Sequence, residues 1–104
     1  MDLTKEKIIC FIDCETTGLD PNYHEIIEFY GMKYYHSTNR GLIFIEDLYH
    51  KIKPVHIDRI DPKAVKVNGY CKYKWEKAIS QDIASASISS FLQGHILCGH
   101  NVNF

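Results

Sequence analysis

A chain of 104 residues is long enough for one small domain and too short for two. Hydrophobic residues make up 45% of it, which excludes a disordered chain, and a net charge of −1 excludes a protein that holds nucleic acid by overall basic charge. No apolar run reaches the roughly 20 residues of a spanning helix, and residues 1–7 are too polar for a signal peptide, so a cytoplasmic (intracellular) setting without a membrane partner is expected.

The first predicted element is the strand Ile8-Ile9-Cys10-Phe11-Ile12, apolar on both faces as a strand covered on both sides of a sheet is. It runs into Asp13-Cys14-Glu15-Thr16-Thr17-Gly18-Leu19. Side chains alternate along a strand, so Asp13 and Glu15 share a face. Two neighbouring carboxylates repel, and without a cation one tends to stay protonated. A hard divalent metal, which takes oxygen ligands, relieves that repulsion. Thr16-Thr17-Gly18 turns the chain away and leaves the pair at an open strand end, where ligands bind in α/β sheets. For Asp-x-Glu alone, an acidic strand end facing solvent would be the plainer reading.

The loop from Leu19 to His24 is rich in turn formers. Residues 25–35 are dense in β-branched and aromatic side chains and read as a second strand. Residues 36–41 are a turn, and residues 42–53 are the return strand of a hairpin, ended by Pro54 and long enough to hold a bulge. Asp61 and Pro62 are a helix N-cap and first helical position, with a short helix over 63–67 stopped by Asn68-Gly69.

Tyr70, Tyr73 and Trp75 follow, interleaved with Lys72, Lys74 and Lys77. This cluster is either a stacking and phosphate-contact surface or a solvated lysine face with Trp75 anchoring the next helix. Residues 77–93 read as that helix, with a broad apolar stripe and Gly94 as its stop. Residues 95–99 read as a short buried strand, parallel to the first and reached by a right-handed crossover. None of Cys10, Cys14, Cys71 and Cys98 forms a Cys-x-x-Cys pair; free, mostly buried thiols in a reducing interior are expected, and a zinc site is not.

Asp-x-Glu-Thr-Thr-Gly fixes five positions, a pattern that chance supplies on the order of 10⁻⁵ to 10⁻⁴ times in a chain this size. It resembles the first motif of the DEDD (DnaQ-like) 3′–5′ exonucleases, a superfamily that includes proofreading subunits of replicative DNA polymerases and ribonuclease T. His24-Glu25-Ile26-Ile27-Glu28-Phe29 is similar to the family's second strand, and Lys53-Pro54 to the end of its third. His100-Asn101-Val102-Asn103-Phe104 resembles a second motif, His-Asn-x-x-Phe, which in the family is followed by a metal-site Asp.

The resemblance implies an α/β, ribonuclease-H-like fold: an antiparallel three-stranded meander with the first strand innermost, then a helical crossover to a parallel strand. It also implies a single partial exonuclease domain over residues 1–104, truncated before the final helices and strand and before the motif that supplies a His or Tyr general base. The implied reaction is phosphodiester hydrolysis at the 3′ end of DNA or RNA with two divalent cations, Mg²⁺ or Mn²⁺. Asp13 and Glu15 would be catalytic and metal-binding. Thr16, Thr17, Gly18 and Leu19 would hold the 3′ nucleotide, with Leu19 against the terminal base. His100, Asn101 and Phe104 complete the substrate-binding set, His100 in a structural role rather than as the base. A DNA polymerase subunit is an implied partner, self-association through uncovered apolar surface is expected, and the 104-residue chain alone is expected to be inactive. A non-catalytic nucleic-acid or nucleotide-binding module on the same fold is the alternative.

Overall fold

The computed structural model describes residues 7–99, a four-stranded mixed sheet with helical cover. Strand β1 (Lys7–Thr16) pairs antiparallel with β2 (Ile26–Ser37), which pairs antiparallel with β3 (Gly41–Lys51). A 3₁₀ turn (Ile57–Arg59), helix α1 (Pro62–Asn68) and helix α2 (Gln81–Leu92) lead to β4 (Ile96–Gly99), which pairs parallel with β1. The order is β3-β2-β1-β4, so β1 lies inside the sheet, as the meander-and-crossover topology requires. Among the described residues no helix is long and apolar enough to cross a membrane.

The local chemistry explains most boundaries. In the β2–β3 turn, Ser37 Oγ accepts from the backbone N–H groups of Asn39 (3.3 Å) and Arg40 (3.2 Å). The expected bulge falls at Ile45: Lys33 faces Glu46 and Tyr34 faces Phe44, so Ile45 is the extra residue. In α1 the Asp61 side chain accepts from Lys63 N–H at 2.9 Å, Pro62 fills the first turn, and Gly69 closes the helix at φ 68° in the left-handed region.

Helix α2 starts at Gln81, four residues later than the sequence suggests. The backbone of Ile79 is occupied by a parallel bridge to Ile52, with Lys53 N–H donating to Ile79 O at 2.7 Å and Ile79 N–H to Lys51 O at 3.0 Å. Only after that bridge can Ser80 cap the helix, accepting from Ile83 N–H.

The core lies between α2 and one face of the sheet. Phe29, Ile52 and Ala84 are its buried centre, with Ile12, Cys14, Leu48, Ile88 and Leu92 packed around them. Phe29 and Phe91 meet edge-to-face across the layers. Lys33 is buried on this face too; its ammonium pairs with Glu46 at 3.2 Å and sits 4.3 Å from the centre of the Phe91 ring.

On the face of the sheet away from α2, Phe11 packs edge-on against Tyr34, and Tyr34 against Phe44. Two expectations are corrected. Strand β4 is exposed rather than buried, with Ile96 at 45% and Leu97 at 40% exposure, because it is the sheet edge beyond β1. The thiols are not mostly buried either; Cys10 and Cys14 are covered but Cys71 and Cys98 are exposed, and all four are free.

Candidate active site

Asp13 and Glu15 end β1 on one face, as alternation requires, and both line a cleft of about 420 Å³. Its floor is the end of β1 with Thr16, Gly18 and Leu19; its far wall is α1 through Asp61, Lys63, Ala64 and Val67. Asp13 is exposed and Glu15 half-buried. Directly across the ladder from Glu15 stands Glu28 on β2, a third carboxylate on the same face. Glu28 is held by the Tyr49 hydroxyl and, at 3.5 Å, by the Lys51 ammonium. Burial, reinforced by the charges of Asp13 and then Glu28, raises the pKa of Glu15 above the ordinary glutamate value. The thiol of Cys14, between the two carboxylates in sequence, is pushed up to about 11 by burial and then by Asp13 and Glu15.

The turn after β1 is tied down by its own polar groups. Thr17 is fully buried: its N–H donates to Glu25 O (2.9 Å), its Oγ1 accepts from Glu25 N–H (2.9 Å), and its carbonyl accepts from Asp61 N–H (2.7 Å). It therefore clips β1, β2 and α1 together and does not line the cleft. Thr16 Oγ1 donates to Gly18 O at 2.6 Å. The imidazole of His24 packs so closely on Gly18 that a Cβ there would overlap the ring, so the tight approach requires glycine. His24 Nδ1 accepts from Asp20 N–H at 3.1 Å, which sets the loop that carries Leu19. Leu19 projects into water at 85% exposure on the rim of the cleft.

Of the residues singled out in the sequence, the cleft thus gathers Asp13, Glu15, Thr16, Gly18 and Leu19. His100, Asn101 and Phe104 lie outside the described residues. The contributions of α1 went unread: the cap and stop signals located the helix, but nothing in them told which strand end it would face. Asn68, a helix stop in the sequence, also ties the site together: its Nδ2 donates to Thr16 O at 2.8 Å and its Oδ1 accepts from Tyr70 N–H at 2.8 Å.

The donor set fits a hard divalent cation in kind. Two carboxylates converge at an open strand end, and the raised pKa of Glu15 marks a place where uncompensated negative charge is unfavourable. In number it is a partial set: among the described residues no third His, Cys, Asp or Glu joins them in a metal-binding cluster.

Residues 10–104 match the exonuclease family RNase_T. The chain belongs to this exonuclease family. It is 33% identical over 93 residues to a PolC-type DNA polymerase III of Ureaplasma parvum and 31% identical over 93 residues to that of Thermotoga maritima. These matches cover 88% and 89% of the chain but only 6% of each relative's length. Among solved structures, E. coli exonuclease I in complex with a dT13 oligonucleotide superposes with a TM-score of 0.72 at 21% identity, over 91% of this chain and 20% of that one. A moderately thermophilic exonuclease I from Methylocaldum szegediense gives 0.72 at 19%, again over 91% and 20%. At these identities the likeness is one of fold, and the fold is ribonuclease-H-like.

Proposed function

We propose that these residues are part of a 3′–5′ exonuclease domain that hydrolyses the terminal phosphodiester at the 3′ end of DNA or RNA, with Asp13 and Glu15 as its metal-binding carboxylates. The observation that carries this reading is their convergence on the cleft between the end of β1 and α1. Divalent cations, when bound there, stabilise the charge that develops on the phosphate and activate water.

The chain's own residues prepare that chemistry. Asp13 and Glu15 stand on a strand inside the sheet, so their backbone positions are fixed before any ligand arrives. The Thr17 clip and the His24 ring hold the turn at Gly18, whose small size makes room for that ring. Leu19 offers an apolar face to the terminal base; the family resemblance assigns Asn101 and Phe104, which lie outside the described residues, to flank the strand and His100 to a structural role. No residue of the chain is assigned as general base. The similarity to PolC-type polymerases supports a proofreading role beside a polymerase. A non-catalytic binding module is the second reading, favoured by the cleft's having only a partial ligand set among the described residues.

The test is mononucleotide release from a 3′-labelled oligonucleotide in Mg²⁺ or Mn²⁺, with the 5′-labelled strand as control. The 104-residue chain is expected to be inactive, and a longer chain carrying it together with the downstream family motif is expected to be active. Asp13→Asn or Glu15→Gln in the longer chain should abolish turnover, since each removes a ligand of the cations that stabilise the charge on the phosphate. Full activity of the longer Asp13→Asn protein would overturn the reading.

A further inference from the structure

A second concavity, of about 590 Å³, lies outside the carboxylate cleft and shares no lining residue with it. Lys53, Tyr70, Lys72, Tyr73, Trp75 and Glu76 line most of it. Trp75 is its fixed part: the ring is buried, its Nε1–H donates to Ile27 O at 2.9 Å, and the Tyr70 ring lies tilted against it at 5.0 Å. Tyr73 is the opposite case. It is 83% exposed, a large aromatic ring left in water at the edge of an apolar groove. The sequence pattern of aromatics interleaved with lysines therefore has two outcomes at once: Trp75 anchors, while Tyr73 and the lysines remain free to meet a ligand.

We propose that this groove is a second contact site for the single-stranded nucleic acid, taking one nucleotide upstream of the 3′ end, with its base against Tyr73 and its phosphate at Lys53 and Lys72. The inference rests on the exonuclease reading. Two ammonium groups against the single carboxylate of Glu76 favour an anion, and a mostly apolar lining beside the exposed Tyr73 ring favours a planar group; a nucleotide joins both in one ligand. Glu76 repels phosphate from its own wall and accepts hydrogen bonds from base N–H groups, which orients the nucleotide.

The groove is also continuous with the cleft through covalent structure. Helix α1 walls the cleft, and the groove begins at Tyr70, two residues after that helix ends. Asn68 ties the two together by bonding Thr16 O on one side and Tyr70 N–H on the other. Seven helical residues span about 10 Å, within reach of a few nucleotides of one strand.

Fluorescence anisotropy of 5′-labelled dT8 with the 104-residue chain in EDTA tests the site without turnover. Tyr73→Ala should weaken binding about tenfold and Tyr73→Phe should restore it, because stacking needs the ring and not the hydroxyl. Lys72→Glu should weaken binding and flatten the plot of log affinity against log salt by about one ion. Both positions are exposed, and circular dichroism checks that the variants fold. Leu19→Ala tests the cleft in parallel. If Leu19→Ala weakens binding while Tyr73→Ala and Lys72→Glu bind as the parent does, the groove is refuted and the exonuclease reading stands. If the parent itself fails to bind dT8, the groove is refuted, while the exonuclease reading, whose cleft works with divalent cations, is decided separately by turnover of the longer chain. An octaglutamate peptide that competes as well as unlabelled dT8, and stops competing in Tyr73→Ala, would make the groove a peptide site and overturn the nucleotide assignment.

Discussion

Replacing Asp13 by Asn should stabilise the metal-free protein. Residues two apart on a strand are separated by about 7 Å, and both carboxylates point from the same face. At that separation two unit charges repel by about 0.6 kcal/mol in a water-like medium and about 2.4 kcal/mol at an effective dielectric constant of 20. Asp13 is exposed and Glu15 half-buried, so solvent screening places the gain near the lower figure, about 0.5–1 kcal/mol. The pH dependence has a definite sign. Glu15 has a raised pKa in the folded state, so its contribution to stability is present below the ordinary glutamate value of 4.5 and is lost as pH rises through the raised one. Asp13 is one cause of that loss. The advantage of Asp13→Asn should therefore be full at pH 7 and shrink as pH falls through the raised Glu15 value and Glu15 becomes protonated. Urea unfolding in EDTA at pH 7 and pH 3.5 measures it, with the slope m expected to be unchanged. A variant less stable than the parent at pH 7, or an advantage equally large at pH 3.5, would refute the repulsion argument.

Thr17→Val keeps the shape of a buried side chain but removes the acceptor for Glu25 N–H, and should cost about 1–2 kcal/mol by urea midpoint. Trp75→Phe removes the donor to Ile27 O and part of a buried ring; because Ile52 N–H still bonds that carbonyl, the expected loss is limited to about 2 kcal/mol in thermal unfolding. In a longer, active chain, Leu19→Ala should raise KM with little change in kcat, since it removes contact with a base and no charge stabilisation; steady-state kinetics on oligonucleotides with different 3′-terminal bases would show this, and a fall in kcat alone would count against it.

What could be read from the sequence was what neighbouring residues decide among themselves. The shared face of Asp13 and Glu15 follows from the period of a strand, and the limits of α1 follow from Asp61, Pro62 and Gly69. What could not be read depends on distant chain. The late start of α2 reflects a bridge between Ile79 and Ile52, 27 residues apart, which no helix propensity registers. Strand β4 has the apolar composition of a buried strand, and only its place at the sheet edge makes it exposed. Thr17 and Gly18 sit in one motif, yet one is a clip turned inward and the other lines the cleft. That difference arises from Glu25, Asp61 and His24, which reach the turn from outside it.

The third carboxylate is placed by the regular ladder, and one irregularity falls just beyond it. Glu15 faces Glu28, but the next residue, Thr16, faces Ile26, so Ile27 is an extra residue on β2. Its side chain is fully buried, and its carbonyl accepts both Ile52 N–H at 2.8 Å and Trp75 Nε1–H at 2.9 Å. Those two bonds use both lone pairs of that oxygen and anchor the end of β3 and the aromatic cluster to the same point. Because side chains alternate, a shift of one residue in the ladder would turn Glu28 to the core and Ile27 toward the carboxylates. The regular register up to Glu15 holds Glu28 opposite it, and alternation turns Ile27 into the core. Through Trp75 the Ile27 carbonyl also connects the floor of the aromatic groove to the strand whose neighbour carries the acidic pair. Ile27 thus stands next to Glu28, the partner of Glu15 across the ladder, and bonds directly to Trp75 in the groove, so one backbone position is shared by the surroundings of both.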